Sequence, residues 1–89
     1  MTLAEFAWAV YAYCTLTGAS VTSWVRTRAR NDLLRGVAHS PHLIGLGADV
    51  VYDEPLGDVE RREWARRLRL VLVTEPDHDH LQPEGWRPG

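Results

Sequence analysis

At 89 residues and 10.1 kDa the chain has room for one compact domain, and 45% hydrophobic against 25% charged residues is the composition of a folded protein, not a disordered one. A single cysteine, Cys14, excludes an internal disulfide framework and any four-cysteine zinc module. Ten basic residues, all arginine, against 12 acidic ones leave a formal net charge of −2, with no global basic excess for nucleic acid or an anionic membrane. A core this small needs a further source of stability, and a bound metal or a partner subunit is the obvious one.

Thr2 to Leu16 is predicted to be a helix: Thr2 and Glu5 fit a capping box, Phe6, Val10 and Tyr13 recur at helical spacing, and Gly18 follows as a stop. Val21 to Val25, short and β-branched, suits a strand. Thr27 to Leu34 reads as a short helical turn closed by Gly36, and Val37 to Gly47, with Pro41 and two glycines, as a loop. Ala48 to Tyr52 is a second strand, followed by a turn around Pro55 and Gly57. A helix is expected from about Asp58, as N-cap, to Leu68, with Trp64, Ala65 and Leu68 on its apolar face and the Arg61–Arg69 group on a solvated face. Leu70 to Thr74 is a strand, interrupted at Pro76, and His80 to Gln82 resumes one before a Pro/Gly tail. Trp8, Trp24 and Trp64 are expected in the core. This order predicts a single α+β domain with a small, largely antiparallel sheet and flanking helices. No segment approaches the roughly 18 apolar residues of a membrane span. The N-terminal stretch has no basic leader and carries Glu5, so synthesis in the cytoplasm without a signal peptide is expected.

Four histidines stand out by placement: His39 and His42 flank Ser40-Pro41, and His78 and His80 bracket Asp79 in DHDH. Carboxylates accompany both pairs, Asp49 after the first and Glu75, Asp77 and Asp79 around the second. Catalytic zinc takes three protein nitrogen or oxygen ligands and keeps one position for water, and a histidine, a carboxylate and a histidine from a distant segment supply such a set. No HExxH helix or cysteine-based zinc spacing is present. In an extended segment alternate side chains share a face, so His78 and His80 can point into one site, with Glu75, Asp77 and Asp79 on the other unless the chain bends at Pro76. His39 reads as an ordinary surface histidine.

Three segments, in order, resemble the zinc D-alanyl-D-alanine peptidases, a family of bacterial carboxypeptidases and dipeptidases and of phage endolysins cutting L-alanyl-D-glutamate bonds. S-P-H-L-I-G-L-G-A-D-V, Ser40 to Val50, resembles its S-x-H-x-x-G-x-A-x-D motif; E-P-D-H-D-H-L-Q, Glu75 to Gln82, resembles its D-H-x-H motif before a short strand; and T-S-W-V-R-T-R-A-R-N, Thr22 to Asn31, resembles its S-G-Y-R segment. Together they span roughly residues 20–82. Gly47 stands where the family has alanine, and Trp24-Val25 replaces the small-aromatic pair before the arginine.

The resemblance implies a hedgehog/DD-peptidase fold, a zinc ion held by His42, Asp49 and His80, and Asp77 as the catalytic carboxylate, with Glu75 as its rival. It also implies His78 as a second active-site histidine, Arg26 as the residue holding substrate and steadying the oxyanion, and Ser40 near the substrate. The expected activity is hydrolysis of peptidoglycan stem peptides, endolysin-like, at the cell wall after release, with no nucleic acid partner and no membrane insertion. The alternatives are a host D-Ala-D-Ala carboxypeptidase or dipeptidase and a non-catalytic zinc module of the same fold.

Overall fold

A computed structural model describes residues 1–24 and 46–85. Helix α1 runs Leu3–Thr17, strand β1 Ala19–Ser23, β2 Ala48–Tyr52, helix α2 Asp58–Arg67, β3 Leu70–Thr74 and β4 Asp79–Pro83. The expected turn over Thr27–Leu34, nearly all of the expected loop, and Arg26, His39, Ser40, His42 and Trp86 lie outside the described residues.

The capping box is present: Thr2 Oγ1 accepts the Glu5 backbone N–H at 3.1 Å and Glu5 Oε1 accepts that of Thr2 at 2.7 Å. These bonds satisfy donors that have no partner inside the helix. At the other end Gly18 takes φ 71°, a left-handed conformation that costs a residue without Cβ nothing, and its N–H returns to the Cys14 carbonyl. β1 starts directly after this turn, two residues earlier than expected.

The four strands form one antiparallel sheet in the order β1-β2-β4-β3. β2 and β4, far apart in sequence, are the central pair, with Asp49 opposite His80. β3 and β4 form a hairpin closed by the Glu75 N–H on the His78 carbonyl, 2.9 Å. The α+β prediction with an antiparallel sheet therefore holds.

Alternation along the strands decides what faces where. Ala48, Val50, Leu72 and Leu81 turn inward and meet Phe6, Val10 and Tyr13 of α1 and Ala65 of α2, all buried. Asp49, His80 and Gln82 turn to the opposite face. Three expectations need correction. Gly57, not Asp58, is the N-cap of α2, and Asp58 in the first turn instead grips Arg62 of the next turn. Trp8 is 71% exposed: α1 is apolar on nearly every side, so spacing alone did not reveal its buried face. Arg61 does not belong to a solvated face; its side chain is 16% exposed and pairs with a buried carboxylate.

Candidate functional site

The β2–β4 pairing brings together two of the three expected metal ligands. His80 Nδ1 stands 3.0 Å from Asp49 Oδ1, and both side chains are only 14% exposed. Two lone pairs do not approach this closely without a positive charge between them, either a ring proton or a bound cation. The spacing is that of an ordinary N–H···O hydrogen bond, a few tenths of an ångström shorter than the separation of two ligand atoms in a tetrahedral zinc site. An oxygen and an imidazole nitrogen are also donors that zinc accepts. Among the described residues no group of three His, Cys, Asp or Glu side chains is arranged to hold a metal, and the third expected ligand, His42, lies outside them.

His80 is held from its other side as well. Its Nε2 lies 3.1 Å from Gln82 Oε1, two positions further along the same strand face. The sequence reading passed over Gln82 except as a strand residue, although the two-residue period from His80 would have placed it here.

His78 ends the β3–β4 turn, with its Nε2 3.7 Å from Asp49 Oδ1 and its Nδ1 2.7 Å from Asp77 Oδ1. Both histidines of DHDH thus face Asp49, as alternation requires. The bend at Pro76–Asp77 also lets Asp77 approach from the turn, where it is 88% exposed. Their hydrogen bond lowers the Asp77 carboxyl below its ordinary range and raises His78 above the ordinary imidazole range. The pair is therefore ionised together over a wider pH span than either group alone. An open cleft of ≈ 350 Å³ lies beside them, lined by Tyr52, Arg61, Glu75, Asp77, His78 and Asp79 among others, but not by Asp49 or His80.

Asp79, between the two histidines, points the opposite way and is buried. It accepts the Tyr52 hydroxyl at 2.7 Å and forms an ion pair with Arg61 of α2. Because Tyr52 spends its proton on Asp79, the 2.6 Å contact between the two phenols has Tyr13 as donor. Burial first, then this hydrogen bonding, pushes the Tyr52 phenol far up; burial raises Tyr13. Asp79 holds Arg61 above even its usual guanidinium value. This network, tying α1, β2, β4 and α2, had no signal in the sequence beyond the residue types.

Among the described residues no helix is long and apolar enough to cross a membrane. Comparison with protein-family models, with curated proteins and with solved structures finds no match to this chain.

Proposed function

We propose that this domain is a zinc-dependent peptidase acting on peptidoglycan stem peptides, with His42, Asp49 and His80 as metal ligands and a hedgehog/DD-peptidase fold. The observation that carries the reading is the meeting of Asp49 and His80. Each is the ligand assigned by a different motif, and they stand 3.0 Å apart although 31 residues separate them in sequence. Zinc bound there would lower the pKa of its water towards about 7 and polarise the scissile carbonyl.

The chain's own groups would do the rest. Asp77, ionised and hydrogen-bonded to His78, would take the proton of the attacking water and deliver it to the leaving amine. His78, fixed through Nδ1 so that Nε2 faces the Asp49 side, would donate to the developing oxyanion. Arg26 would grip the substrate carboxylate or oxyanion through its fork of N–H groups, with Ser40 nearby.

The test is metal content together with release of peptides from purified cell walls. The wild-type domain is expected to hold one zinc and release peptide, His80→Ala to lose both, and Asp77→Asn to keep zinc while losing turnover. Glu75→Gln should be milder than Asp77→Asn; the reverse order would move the base to Glu75. The end products of digestion separate an endolysin-like cut from a D-Ala-D-Ala carboxypeptidase or dipeptidase. One observation favours a second reading, a non-catalytic zinc module: Asp77 is largely exposed and turned to His78 instead of to the Asp49–His80 pair. Zinc binding with no peptide release would select that reading.

A further inference from the structure

Charge is spread very unevenly along this chain. Of its 10 basic and 12 acidic residues only Glu5 precedes Arg26, so α1 and β1 carry a single charge between them. That one is bonded to Thr2 at the helix start. α2 is the opposite, with charged side chains at most of its positions. A helix lying on a sheet ordinarily keeps one apolar stripe for the core and turns charge to water. α1 has two apolar stripes. Phe6, Val10, Tyr13 and Thr17 form the inner one and are buried; Ala4, Trp8, Tyr11 and Thr15 repeat the same four-three-four spacing, two residues out of phase, and are exposed. At about 100° per residue the two stripes lie on nearly opposite sides of the helix. Even the Thr15 hydroxyl on the outer stripe is spent on the helix itself, donating to the Tyr11 carbonyl at 2.9 Å.

The relief of the outer stripe is uneven. Trp8 and Tyr11 stand out, 71% and 64% exposed, with their rings edge to face at 5.9 Å. Beside them Ala4 and Ala7 floor an open hollow of ≈ 440 Å³. A projection and a hollow on one face are what a two-fold interface requires, since each copy must supply both halves. Turned antiparallel about an axis between Ala4 and Trp8, two such helices bring the Trp8 of each over the Ala4 of the other and Tyr11 over Met1, large against small. A parallel pair would set Trp8 against Trp8, leave both hollows empty and align the helix dipoles unfavourably. Charge selects the same occupant: this face offers nothing to an acidic or basic partner, and a second copy brings an equally uncharged one. The two rings alone expose about 250 Å² per copy. With Met1, Ala4 and Ala7 added, a symmetric pair would bury roughly 800–1,000 Å², the low end for specific association.

We propose that the outer stripe of α1 is a homodimer interface, in which α1 pairs antiparallel with α1 of a second copy of this chain and Trp8 of each is seated over Ala4 of the other. The pairing is weak, and it is independent of the zinc reading. The sheet face that carries Asp49 and His80 lies away from α1 and stays open in such a pair.

The experiment is sedimentation equilibrium of the wild-type chain and two variants from about 10 µM to 1 mM. The wild type is expected to pass from monomer to dimer in this range and no further. Trp8→Arg should weaken pairing by about 10-fold or more. Ala4→Leu separates a seated ring from a merely sticky patch: it adds apolar surface but fills the seat of Trp8, so it should weaken pairing too, whereas adhesion by area alone would grow stronger. Both positions are exposed, and unchanged circular dichroism checks that the fold is kept. Spin labels on Thr15→Cys, in a Cys14→Ser background, should stand about 27 Å or more apart in the antiparallel pair, against about 10 Å in a parallel one. A wild type still monomeric at about 1 mM would overturn the proposal, and binding of that monomer to lipid vesicles would give the stripe to a membrane instead. Wild-type association in Trp8→Arg, tighter association in Ala4→Leu, or the short label distance would overturn it equally.

Discussion

β4 carries polar groups on both faces, and the two sets differ in how they are closed. Facing the core, the Asp79 carboxylate is met by Tyr52 and Arg61, and Tyr52 is in turn met by Tyr13. Facing outward, His80 lies between a carboxylate and an amide oxygen, with a second histidine within 4 Å of the same carboxylate. The inner set pairs one anion with one cation inside a low-dielectric core, where either charge alone would be costly. The outer set lies half-buried at the other face of the sheet, where two histidines approach one carboxylate. Two residues adjacent in sequence, Asp79 and His80, therefore belong to different polar clusters: one in the core around an ion pair, where Arg61 Nε finds no acceptor among the described residues, and one half-buried on the opposite face.

The largest effect should come from breaking the inner set. Asp79→Leu leaves the mostly buried Arg61 without its counter-ion and should destabilise the domain by about 3–5 kcal/mol. Adding Arg61→Met should recover most of that loss, because a well-packed apolar pair is often no worse than a buried ion pair; denaturant titration of the three proteins measures both. If the outer set is completed by zinc, a thousandfold excess of the ion over its Kd adds about 4 kcal/mol. Chelation should then lower the Tm by many degrees in the wild type and leave His80→Ala unmoved. A smaller effect sharpens the inner arm: Tyr13→Phe removes only the donor to Tyr52 and should cost about 1 kcal/mol, read from the shift in urea midpoint. The smallest lies outside both sets. Arg66 and Arg67 hold the exposed Glu63 at about 2, down from 4.5. A depressed carboxyl contributes stability above its unfolded value and loses it as pH falls through the folded one. The small Tm advantage of wild type over Glu63→Gln should therefore be constant above about pH 5 and vanish on descent from 4.5 to 2.

What the sequence made legible follows the range of the forces involved. The capping box and Gly18 bounded α1 closely, and β2 and β3 appeared with their observed limits, because local residue types decide those features. β1 was placed two residues late, since nothing in Ala19-Ser20 announces a strand that begins inside a helix cap, and the pairing slips at Val21/Ser23. Asp58 looked like an N-cap, but its carboxylate is drawn instead to Arg62. In the candidate site, alternation in DHDH correctly set His78 and His80 against Asp79. The approach of Asp49 to His80 follows only from strand order, and the burial of Arg61 only from how α2 lies over the sheet; neither has a local signature. Of the residues carried over by resemblance, Asp49, Asp77, His78 and His80 gather at one end of the sheet.

The pairing of Asp49 with His80 across β2 and β4 has a consequence for assembly of the sheet. Side chains alternate, so sliding β4 by a single residue would drive His80 and Gln82 into the interior and put Leu81 beside Asp49. Strands of five residues have few contacts with which to reject such an error. If zinc binds Asp49 and His80, the two ligands meet only in the correctly aligned sheet, so the ion's presence during folding would proofread strand alignment before the helices close over the other face.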